Sequence, residues 1–337
     1  MGEIIIPQGY KSALNLHDTQ VAIKTVKDYF QHELTHRLHL LRVTAPLFVQ
    51  PETGLNDNLN GVEHPVSFEL KDQGTKKTAE IVQSLAKWKR YALHKYGFSE
   101  GEGIYTDMNA IRQDEVTDNI HSVYVDQWDW EKIIRPDQRN YTYLKTVVRA
   151  VYLAVRRIAA QVTKKYPALT FDLPREITFV STKELEKMYP ALTPRERENA
   201  FTKTYRAVFV YQIGWPLANK QPHDGRAADY DDWKLNGDIL LWHEPLDCAL
   251  EISSMGIRVN AAVLEKQLRQ KKELDKLSNP YCRAVMNGEL PLTVGGGIGQ
   301  SRLCMFFLKK RHIGEVQASV WSAEEEAAAE REGLALL

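Results

Sequence analysis

The chain has 337 residues, of which 43% are apolar and 26% are charged, as in an ordinary globular protein of one large domain or two smaller ones. Lysine plus arginine equals aspartate plus glutamate at 44 each, so there is no overall field to attract nucleic acid or an anionic membrane. We therefore expect no nucleic-acid partner and no membrane association.

The cysteines Cys248, Cys282 and Cys304 are widely spaced and form no C-x-x-C pair, which argues against a disulfide framework or a zinc knuckle. No apolar run approaches membrane-spanning length. The first residues lack the basic region of a signal peptide, and Ile6 stands where a myristoylation signal needs Ser or Thr. These features predict a cytoplasmic protein.

The predicted elements begin with a helix over residues 19–41, whose apolar side chains have helical spacing: Val21, Ile23, Val26, Phe30, Leu34, Leu38 and Leu41. A strand interrupted by Pro46 is predicted from Leu41 to Val49. Two further strands, over residues 65–70 and 79–85, flank the polar turn Lys71–Thr78. Residues 121–129 alternate as a strand, with His121, Val123, Val125, Gln127 and Asp129 on one face.

The second half of the chain starts with a long amphipathic helix from Tyr143 to Lys165. Strand-like runs follow at Ile177–Val180, Ala207–Ile213, Ile239–Trp242 and Leu250–Ile252. Residues 323–337 form an Ala/Glu-rich tail that is helical by propensity and peripheral. Strands and helices that mix without strict alternation predict an α/β protein of the α+β type, with a largely antiparallel sheet.

The segment His32-Glu33-Leu34-Thr35-His36 has the H-E-x-x-H spacing of zinc hydrolases. Leu34 belongs to the apolar stripe, so both histidines, and His39 with them, are predicted on the solvated side of the helix. Because zinc ligands must face a cleft, we favour a chance match.

Three cations surround a tryptophan in Ser84-Leu85-Ala86-Lys87-Trp88-Lys89-Arg90, at a predicted strand-to-helix transition. Taken alone, the segment favours a basic surface whose aliphatic stems cover one buried ring. The functional alternative is that Lys89 pairs with a carboxylate substrate.

Arg112 lies after Glu102-Gly103-Ile104-Tyr105 and before Asp114-Glu115. An arginine held by neighbouring acids can brace an α-phosphate during nucleotidyl transfer, and a surface charge network is the alternative. Gln127 and Asp129 share a strand face, so both can point into one cleft.

Acidic side chains concentrate at Asp229-Tyr230-Asp231-Asp232 and recur at Asp238 and Glu251. Paired carboxylates suit a magnesium-bound triphosphate, because Mg²⁺ takes one or two protein oxygens and the rest from phosphate and water. For Asp229 and Asp232 we favour a solvated loop. Glu251 lies in an apolar, strand-like run, where a carboxylate is either paired or functional.

The densest signal is Gly295-Gly296-Gly297-Ile298-Gly299-Gln300-Ser301-Arg302, which follows an extended apolar run. Glycines permit positive φ and close backbone approach, a helix start offers free N–H groups, and Arg302 adds a planar fork of donors. The segment therefore predicts a phosphate cradle, with a plain glycine turn as the alternative. It is no P-loop, because no Gly-Lys-Ser/Thr follows, and no dinucleotide fingerprint, because Gln300 stands where a third glycine would be.

In combination, these segments resemble the ammonia-dependent, AMP-forming aspartate–ammonia ligases, or A-type asparagine synthetases, which are relatives of the class II aminoacyl-tRNA synthetase catalytic domain. The matching segments cover nearly the whole chain in order: Asp57-Asn58-Leu59, Ser84–Arg90, Gly101-Glu102-Gly103, His121–Glu131, Asp229–Trp233, Leu235-Asn236-Gly237-Asp238, Glu251–Val259 and Gly295–Arg302. The resemblance implies a single catalytic domain over residues 1–337 with the peripheral tail 323–337. It also implies a six-to-eight-stranded, largely antiparallel sheet flanked by helices, and a homodimer with Pro46 at its interface.

The resemblance further implies roles for individual residues. Arg112 and Arg302 match the phosphate-binding arginines, Asp238 and Glu251 the Mg²⁺ ligands, and Lys89 and Arg258 the clamp on the aspartate side-chain carboxylate. The matches to the amino-acid pocket are Gln127, Asp129, Asp231 and Ser254, and the matches around ATP or AMP also include Ser122, Val125, Gly297 and Gly299.

The implied reaction joins L-aspartate to ammonia at the expense of ATP, through β-aspartyl-AMP and pyrophosphate. Asp57 is our candidate for capturing ammonium, with Asp129 in reserve. No cysteine stands where a glutamine-hydrolysing nucleophile is expected, so free ammonia is the expected donor. The alternatives are a tRNA-charging synthetase, which needs an RNA-binding surface, and a non-catalytic nucleotide-binding relative.

Overall fold

The computed structural model describes residues 10–57, 59, 63–71 and 77–337. Ile6, Asn58 and the centre of the predicted turn Lys71–Thr78 lie outside these residues. The strands of the described part are β1 (Leu40–Arg42), β2 (Phe48–Val49), β3 (Ser67–Leu70), β4 (Lys77–Ile81), β5 (Gly103–Ile111), β6 (Tyr124–Ile133), β7 (Thr178–Ser181), β8 (Ala207–Tyr211), β9 (Asp231–His243), β10 (Cys248–Arg258) and β11 (Thr293–Gly299). Its α-helices are α1 (Leu16–Leu38), α2 (Ala86–Lys95), α3 (Tyr141–Lys165), α4 (Thr182–Met188), α5 (Pro194–Tyr205), α6 (Ala261–Lys271), α7 (Pro280–Met286), α8 (Gln300–Phe307) and α9 (Ala323–Arg331).

The main sheet has eight strands in the order β1-β5-β6-β11-β10-β9-β8-β7. Its inner pairs are antiparallel, and the outermost pair at each edge, β1 with β5 and β7 with β8, is parallel. The strands β2, β4 and β3 form a separate small antiparallel sheet. The prediction of a largely antiparallel sheet of six to eight strands flanked by helices is confirmed.

Helices α1 and α3 cover one face of the main sheet and share its largest hydrophobic core. Each begins at an asparagine, Asn15 or Asn140, whose side chain accepts a hydrogen bond from a backbone N–H of the first turn. In α1 the buried positions are Thr19, Ala22, Val26, Phe30, Leu34 and Leu38. The predicted stripe was therefore wrong at its ends, where Val21 and Leu41 are 41% and 60% exposed.

The strand predicted from Leu41 to Val49 is wrong as one element. Its first residues form β1, at the edge of the main sheet, and its last form β2, in the small sheet. Pro46 lies between them, and proline has no N–H to continue a ladder. The runs predicted at 239–242 and 250–252 are parts of the much longer β9 and β10.

The tail residues form α9, whose first turn is closed by reciprocal hydrogen bonds between Ser322 and Glu325. Ala329 and Leu334 are buried, and the backbone N–H of Leu337 donates to the carbonyl of Gly314. The helix was predicted by propensity, and these contacts attach it to the domain. Among the described residues, we find no helix with the length and apolarity needed to span a bilayer.

Candidate active site

A cavity of about 360 Å³ is lined by residues of three neighbouring strands, β6, β11 and β10. All the predicted site residues except Asp238 line it: Asp57, Lys89, Arg112, Ser122, Val125, Gln127, Asp129, Asp231, Glu251, Ser254, Arg258, Gly297, Gly299 and Arg302. Sheet pairing brings them together, since Gly297 of β11 lies opposite Asp129 on one side and Ser254 on the other. Segments that are far apart in sequence therefore meet at one place.

Five charged side chains, which we call the charged floor, are each at most 3% exposed: Lys89, Asp129, Glu131, Asp231 and Arg258. The Lys89 ammonium donates to the carbonyl oxygen of Gly296 at 3.0 Å and lies 3.2 Å from Asp129 Oδ1. The Arg258 guanidinium donates to both carboxylate oxygens of Glu131 and to Asp231. Charge-assisted bonds of this kind hold the side chains in fixed positions.

The charged floor carries one excess negative charge, because three carboxylates face two cations. Burial lowers the pKa of Lys89, although Asp129 acts to raise it, and burial raises the pKa of Asp231 against the effect of Arg258. Burial acts in the same way on Glu131, but there the Arg258 charge prevails and the pKa is lowered. A ligand with one ammonium group would balance the floor. Arg258 has five N–H donors and uses three on these carboxylates, so two can still reach a ligand.

The glycines of the predicted cradle lie within β11 instead of in a loop, and none of them has positive φ. A Cβ on Gly295 would lie 1.8 Å from Glu131 Oε2, and one on Gly297 would lie 2.2 Å from Gln127 Oε1. The explanation by positive φ is therefore wrong. These glycines make room for the buried side chains of the neighbouring strands and leave bare backbone at the cavity wall.

Two arginines, Arg112 after β5 and Arg302 in the first turn of α8, are partly exposed and line the cavity. Arg112 Nε and Nη2 each lie 3.4 Å from the carbonyl oxygen of Gln83. Arg302 donates to the carbonyl oxygens of Ile120 and Glu251, each at 3.2 Å. Among the described residues, the acceptor that Arg112 bonds is a neutral carbonyl, which leaves its guanidinium charge able to attract an anion, whereas the charge of Arg302 is partly compensated by the nearby Glu251 carboxylate.

Asp238 lies beside the cavity and is bound by Arg226, which is itself on the cavity wall. Asp238 Oδ1 is buried and has no hydrogen-bond partner among the described residues. Burial raises its pKa, Arg226 lowers it, and Glu251 contributes to the rise, so the two carboxylates interact. The Glu251 side chain is 42% exposed and lies 3.7 Å from Arg302 Nη1.

In the part of the chain that the structure describes, no three His, Cys, Asp or Glu side chains converge as a metal site. His32, His36 and His39 are all exposed, as predicted, and belong to no such group. Asp238 and Glu251 thus offer two carboxylates, a donor set that suits Mg²⁺ when phosphate oxygens supply the remaining positions.

Gln83, immediately after β4, connects several parts of the cavity wall. Its carbonyl oxygen is the Arg112 acceptor, and its side-chain amide donates to the carbonyl oxygen of Asp57 at 3.1 Å. Its backbone N–H donates to Asn56 Oδ1, which also accepts from the backbone N–H of Asp57. The Ser122 hydroxyl, elsewhere on the wall, lies 2.9 Å from the Ser319 hydroxyl.

Asp229 and Asp232, for which a solvated loop was predicted, are only 2% and 3% exposed. Lys87 Nζ donates to Asp229 Oδ2 at 2.9 Å, and Arg139 Nη2 donates to Asp232 Oδ2 at 2.6 Å. The prediction is wrong because these partners are 142 and 93 residues away, beyond the reach of any local pattern.

The interpretation of Ser84–Arg90 as a basic surface is also wrong, since Lys87, Lys89 and Arg90 are at most 5% exposed. Arg90 donates to the carbonyl oxygens of Pro291 and Val259. Glu131 and Arg226 had no predicted role. Glu131 was detectable as a carboxylate directly after Trp130 in the tryptophan-rich strand β6, where burial demands a cationic partner.

Comparison with known sequences identifies the family. The profile described as aspartate–ammonia ligase matches residues 17–333. The aspartate–ammonia ligase of Lactiplantibacillus plantarum is 55% identical over 318 residues, which are 94% of this chain and 98% of that protein. The aspartate–ammonia ligase of Clostridium tetani is 53% identical over 334 residues, which are 99% of this chain and 98% of that protein.

Solved structures show the same fold at low sequence identity. The asparaginyl-tRNA synthetase of Pyrococcus horikoshii, complexed with asparaginyl-adenylate, superposes with a TM-score of 0.64 at 18% identity, over 90% of this chain and 70% of that chain. For the aspartyl-tRNA synthetase of Entamoeba histolytica the TM-score is 0.60 at 16% identity, over 89% of this chain and 58% of that chain. The fold is therefore that of the class II aminoacyl-tRNA synthetases, and the chain spans well under the full length of these synthetases. On the profile match and the identities above, the chain is an enzyme of the aspartate–ammonia ligase family.

Proposed function

We propose that the cavity binds L-aspartate and ATP together and joins ammonia to the aspartate side-chain carboxylate, giving L-asparagine, AMP and pyrophosphate. Membership of the aspartate–ammonia ligase family supports the overall reaction. The observation that carries the proposal is that two arginines and four members of the charged floor line one cavity: Arg112, Arg302, Lys89, Asp129, Asp231 and Arg258.

The spacing along β11 suits an acyl-adenylate. Lys89 binds the carbonyl of Gly296, while a Cβ on Gly299 would lie 3.4 Å from Arg302 Cβ. Gly296 and Gly299 are three positions apart along the strand, which places them about 10 Å from each other. An aspartate on the charged floor can therefore reach with its side chain toward a phosphate held by Arg302.

In the first step, a β-carboxylate oxygen of aspartate attacks the α-phosphorus, and the bond from that phosphorus to the pyrophosphate oxygen breaks. Lys89 and Arg258 orient the attacking carboxylate, and such orientation is a large part of catalysis between two bound substrates. Asp129 and Asp231 are proposed to hold the α-ammonium group of aspartate. Arg112 and Arg302 neutralise the charge that builds on the phosphates.

Asp238 and Glu251 are the residues that would hold Mg²⁺, and the unpartnered Asp238 Oδ1 is the observation that supports this assignment. Bound there, the ion would add positive charge beside the phosphates. Arg226 donates to Asp238 Oδ2, so it must release that oxygen before both carboxylate oxygens of Asp238 are available to the ion. Arg226 is then expected to turn toward the phosphates. Ser122 and Val125 are proposed to border the adenosine, and Gly297 and Gly299 to leave backbone free beside the bound nucleotide.

In the second step, the ammonia nitrogen attacks the activated side-chain carbonyl carbon, and the bond to the AMP oxygen breaks. Ammonium is the main free form at neutral pH, so one proton must be removed before attack. The buried Asp57 carboxylate lines the cavity and is proposed to accept that proton, with Asp129 in reserve.

The decisive experiment incubates the chain with aspartate, ATP, Mg²⁺ and either ammonium or glutamine, followed by amino-acid analysis. We expect asparagine with ammonium and none with glutamine. A parallel assay with tRNA is expected to transfer no amino acid, in keeping with the balanced charge. Aminoacylated tRNA, or asparagine from glutamine alone, would overturn the proposal.

We further propose a homodimer that forms through the small sheet and the region of Pro46, and a cytoplasmic location. Leu47 and Phe48 are 52% and 44% exposed, and the rings of Phe48 and Phe68 stand edge to face at 5.2 Å between centroids. Exposed apolar side chains that cluster in this way mark association surfaces. Sedimentation of the Phe48→Ser variant, which should be monomeric, tests this assignment against the unmodified chain.

A further inference from the structure

A second cavity of about 170 Å³ adjoins the active-site cavity, and Asp57 and Leu59 line both. Its other lining residues come from the segment before β3, from β4 and α2, from the segment around Asp229, and from the end of α6 and the segment that follows it. The second cavity is lined neither by Arg112 or Arg302 nor by the β11 glycines that line the first cavity. The second cavity therefore approaches the reaction site from a side that neither phosphate nor aspartate is proposed to use.

Asp57 lies where the two cavities meet, and only one of its two carboxylate oxygens accepts a hydrogen bond. Its Oδ1 accepts the backbone N–H of Leu59 at 3.0 Å, while Oδ2 is buried and has no donor in hydrogen-bond geometry among the described residues, although the Ser84 hydroxyl is near enough to lower the pKa of this carboxyl. The whole residue is only 1% exposed. A buried carboxylate oxygen without a donor is costly, so a missing donor is expected at this point.

A second carboxylate on the wall of this cavity, that of Asp229, also has one oxygen without a hydrogen-bond donor among the described residues. Asp229 Oδ2 accepts from Lys87 at 2.9 Å, but Asp229 Oδ1 is buried and unpartnered within the described part of the chain. Two carboxylates and one lysine ammonium leave one negative charge without a counter-ion. One small monovalent cation with several N–H donors would supply both the charge and the missing hydrogen bonds.

We propose that the second cavity is the entrance and holding site for the ammonium substrate, between Asp57 and Asp229. The proposal rests on the function argued above, and it adds a separate route for the nitrogen donor. Once aspartyl-adenylate fills the first cavity, ammonium cannot follow through the same opening. A second, narrow access ending at the open oxygen of Asp57 delivers it to the carboxylate that takes its proton.

The other charged side chains that line the cavity are two acids and two lysines, Glu80, Glu273, Lys271 and Lys276, so their charges cancel and the excess negative charge remains that of Asp57 and Asp229. Glu80 and Glu273 stand on the wall, and Lys276, which also lines it, donates to Glu273 at 2.8 Å. Glu80 accepts from Asn56 Nδ2 at 3.1 Å. A small anion attracted by the lysines is the competing occupant, and the experiment below separates the two.

The first test replaces a small side chain of the cavity wall by a larger one that fills part of the cavity. Ala227 lines the second cavity and not the first, and it is 8% exposed. Ala227→Leu should lower kcat/KM for ammonium by about tenfold, and should leave aspartate-dependent ATP–pyrophosphate exchange within about twofold. The matched control is Ala284→Leu, because Ala284 packs on the hydrophobic cluster that contains Ala228, the neighbour of Ala227 in the chain, and lines neither cavity. Equal loss of both reactions in Ala227→Leu, or no loss for ammonium, overturns the proposal.

The second test needs no substitution and holds even where Ala227→Leu fails to fold. Crystals of the unmodified chain soaked in thallium(I), a monovalent cation close in size to ammonium, should show an anomalous peak between Asp57 Oδ2 and Asp229 Oδ1. Absence of that peak, or displacement of the ion by inorganic phosphate at this place, overturns the holding site. Failure of the proposed function is recognised separately, since it would abolish pyrophosphate exchange in the unmodified chain.

Discussion

Replacing Asp57 by asparagine is expected to stabilise the chain while it removes ammonium-dependent turnover. Burial raises the pKa of Asp57 to about 6, with Lys87 acting to lower it and Asp229 to raise it further. That is roughly two units above the usual value of ~3.9, and one unit corresponds to ~1.4 kcal/mol. Ionised Asp57 therefore costs the folded state about 3 kcal/mol.

The pH dependence follows from the sign of this shift. The folded state binds the Asp57 proton more tightly than the unfolded state, so this cost is absent below about pH 4 and complete above about pH 6. In Asp57→Asn the side-chain oxygen can still accept the N–H of Leu59, and Lys87 keeps Asp229 as its partner. The variant should be more stable by about 3 kcal/mol above pH 6, and the difference should vanish toward pH 4.

Urea denaturation from about pH 4 to about pH 8 measures this difference, and Asp247→Asn is the control. Asp247 is 69% exposed and pairs with Lys203 at the surface, so its replacement should change the free energy of unfolding by less than about 1 kcal/mol at any pH. A destabilised or pH-independent Asp57→Asn would refute the reasoning. In activity assays, the same variant should lose about a hundredfold in ammonium-dependent turnover and keep pyrophosphate exchange.

Three further predictions concern the charged floor, the glycine strand and the metal ligands. Glu131→Gln should lower the free energy of unfolding by about 3 kcal/mol in urea titrations, the lower end for a broken buried pair because Arg258 keeps its other carboxylate; a loss below about 1 kcal/mol would show that the floor is not tightly held. Gly297→Ala should raise the Kd of aspartate in calorimetry at least about tenfold, since its Cβ would meet Gln127 Oε1 at 2.2 Å; unchanged affinity would exclude Gly297 from the pocket. Asp238→Asn should weaken Mn²⁺ binding in the presence of ATP about tenfold by electron paramagnetic resonance, and unaltered binding would remove Asp238 from the metal site.

The sequence was sufficient to predict the class of fold and to predict that the candidate site residues lie close together. Both depended on a resemblance spread over many segments, because no local pattern shows that Gln127, Ser254 and Gly297 come from neighbouring strands. Pairing in a sheet is a long-range property, and here β6, β11 and β10 are adjacent although more than a hundred residues separate the first from the others.

What the sequence did not show was the burial of charge. Asp229 and Lys87 each look like surface residues until they are placed together, since a lone buried charge is unfavourable and only its distant partner makes burial tolerable. The glycines of β11 were located correctly but misread, because a glycine run has the same appearance in a turn and in a strand pressed by its neighbours.

Gln83 has a consequence for the order of events. Its carbonyl oxygen accepts from the guanidinium of Arg112 and its side-chain amide donates to the backbone of Asp57, so the proposed phosphate contact and the proposed proton acceptor are both bonded to a single residue. If bound nucleotide draws Arg112 away from that carbonyl, Gln83 is the residue through which Asp57 would be affected. The proposed proton transfer would then depend on bound nucleotide, and we would expect ATP to add before ammonium.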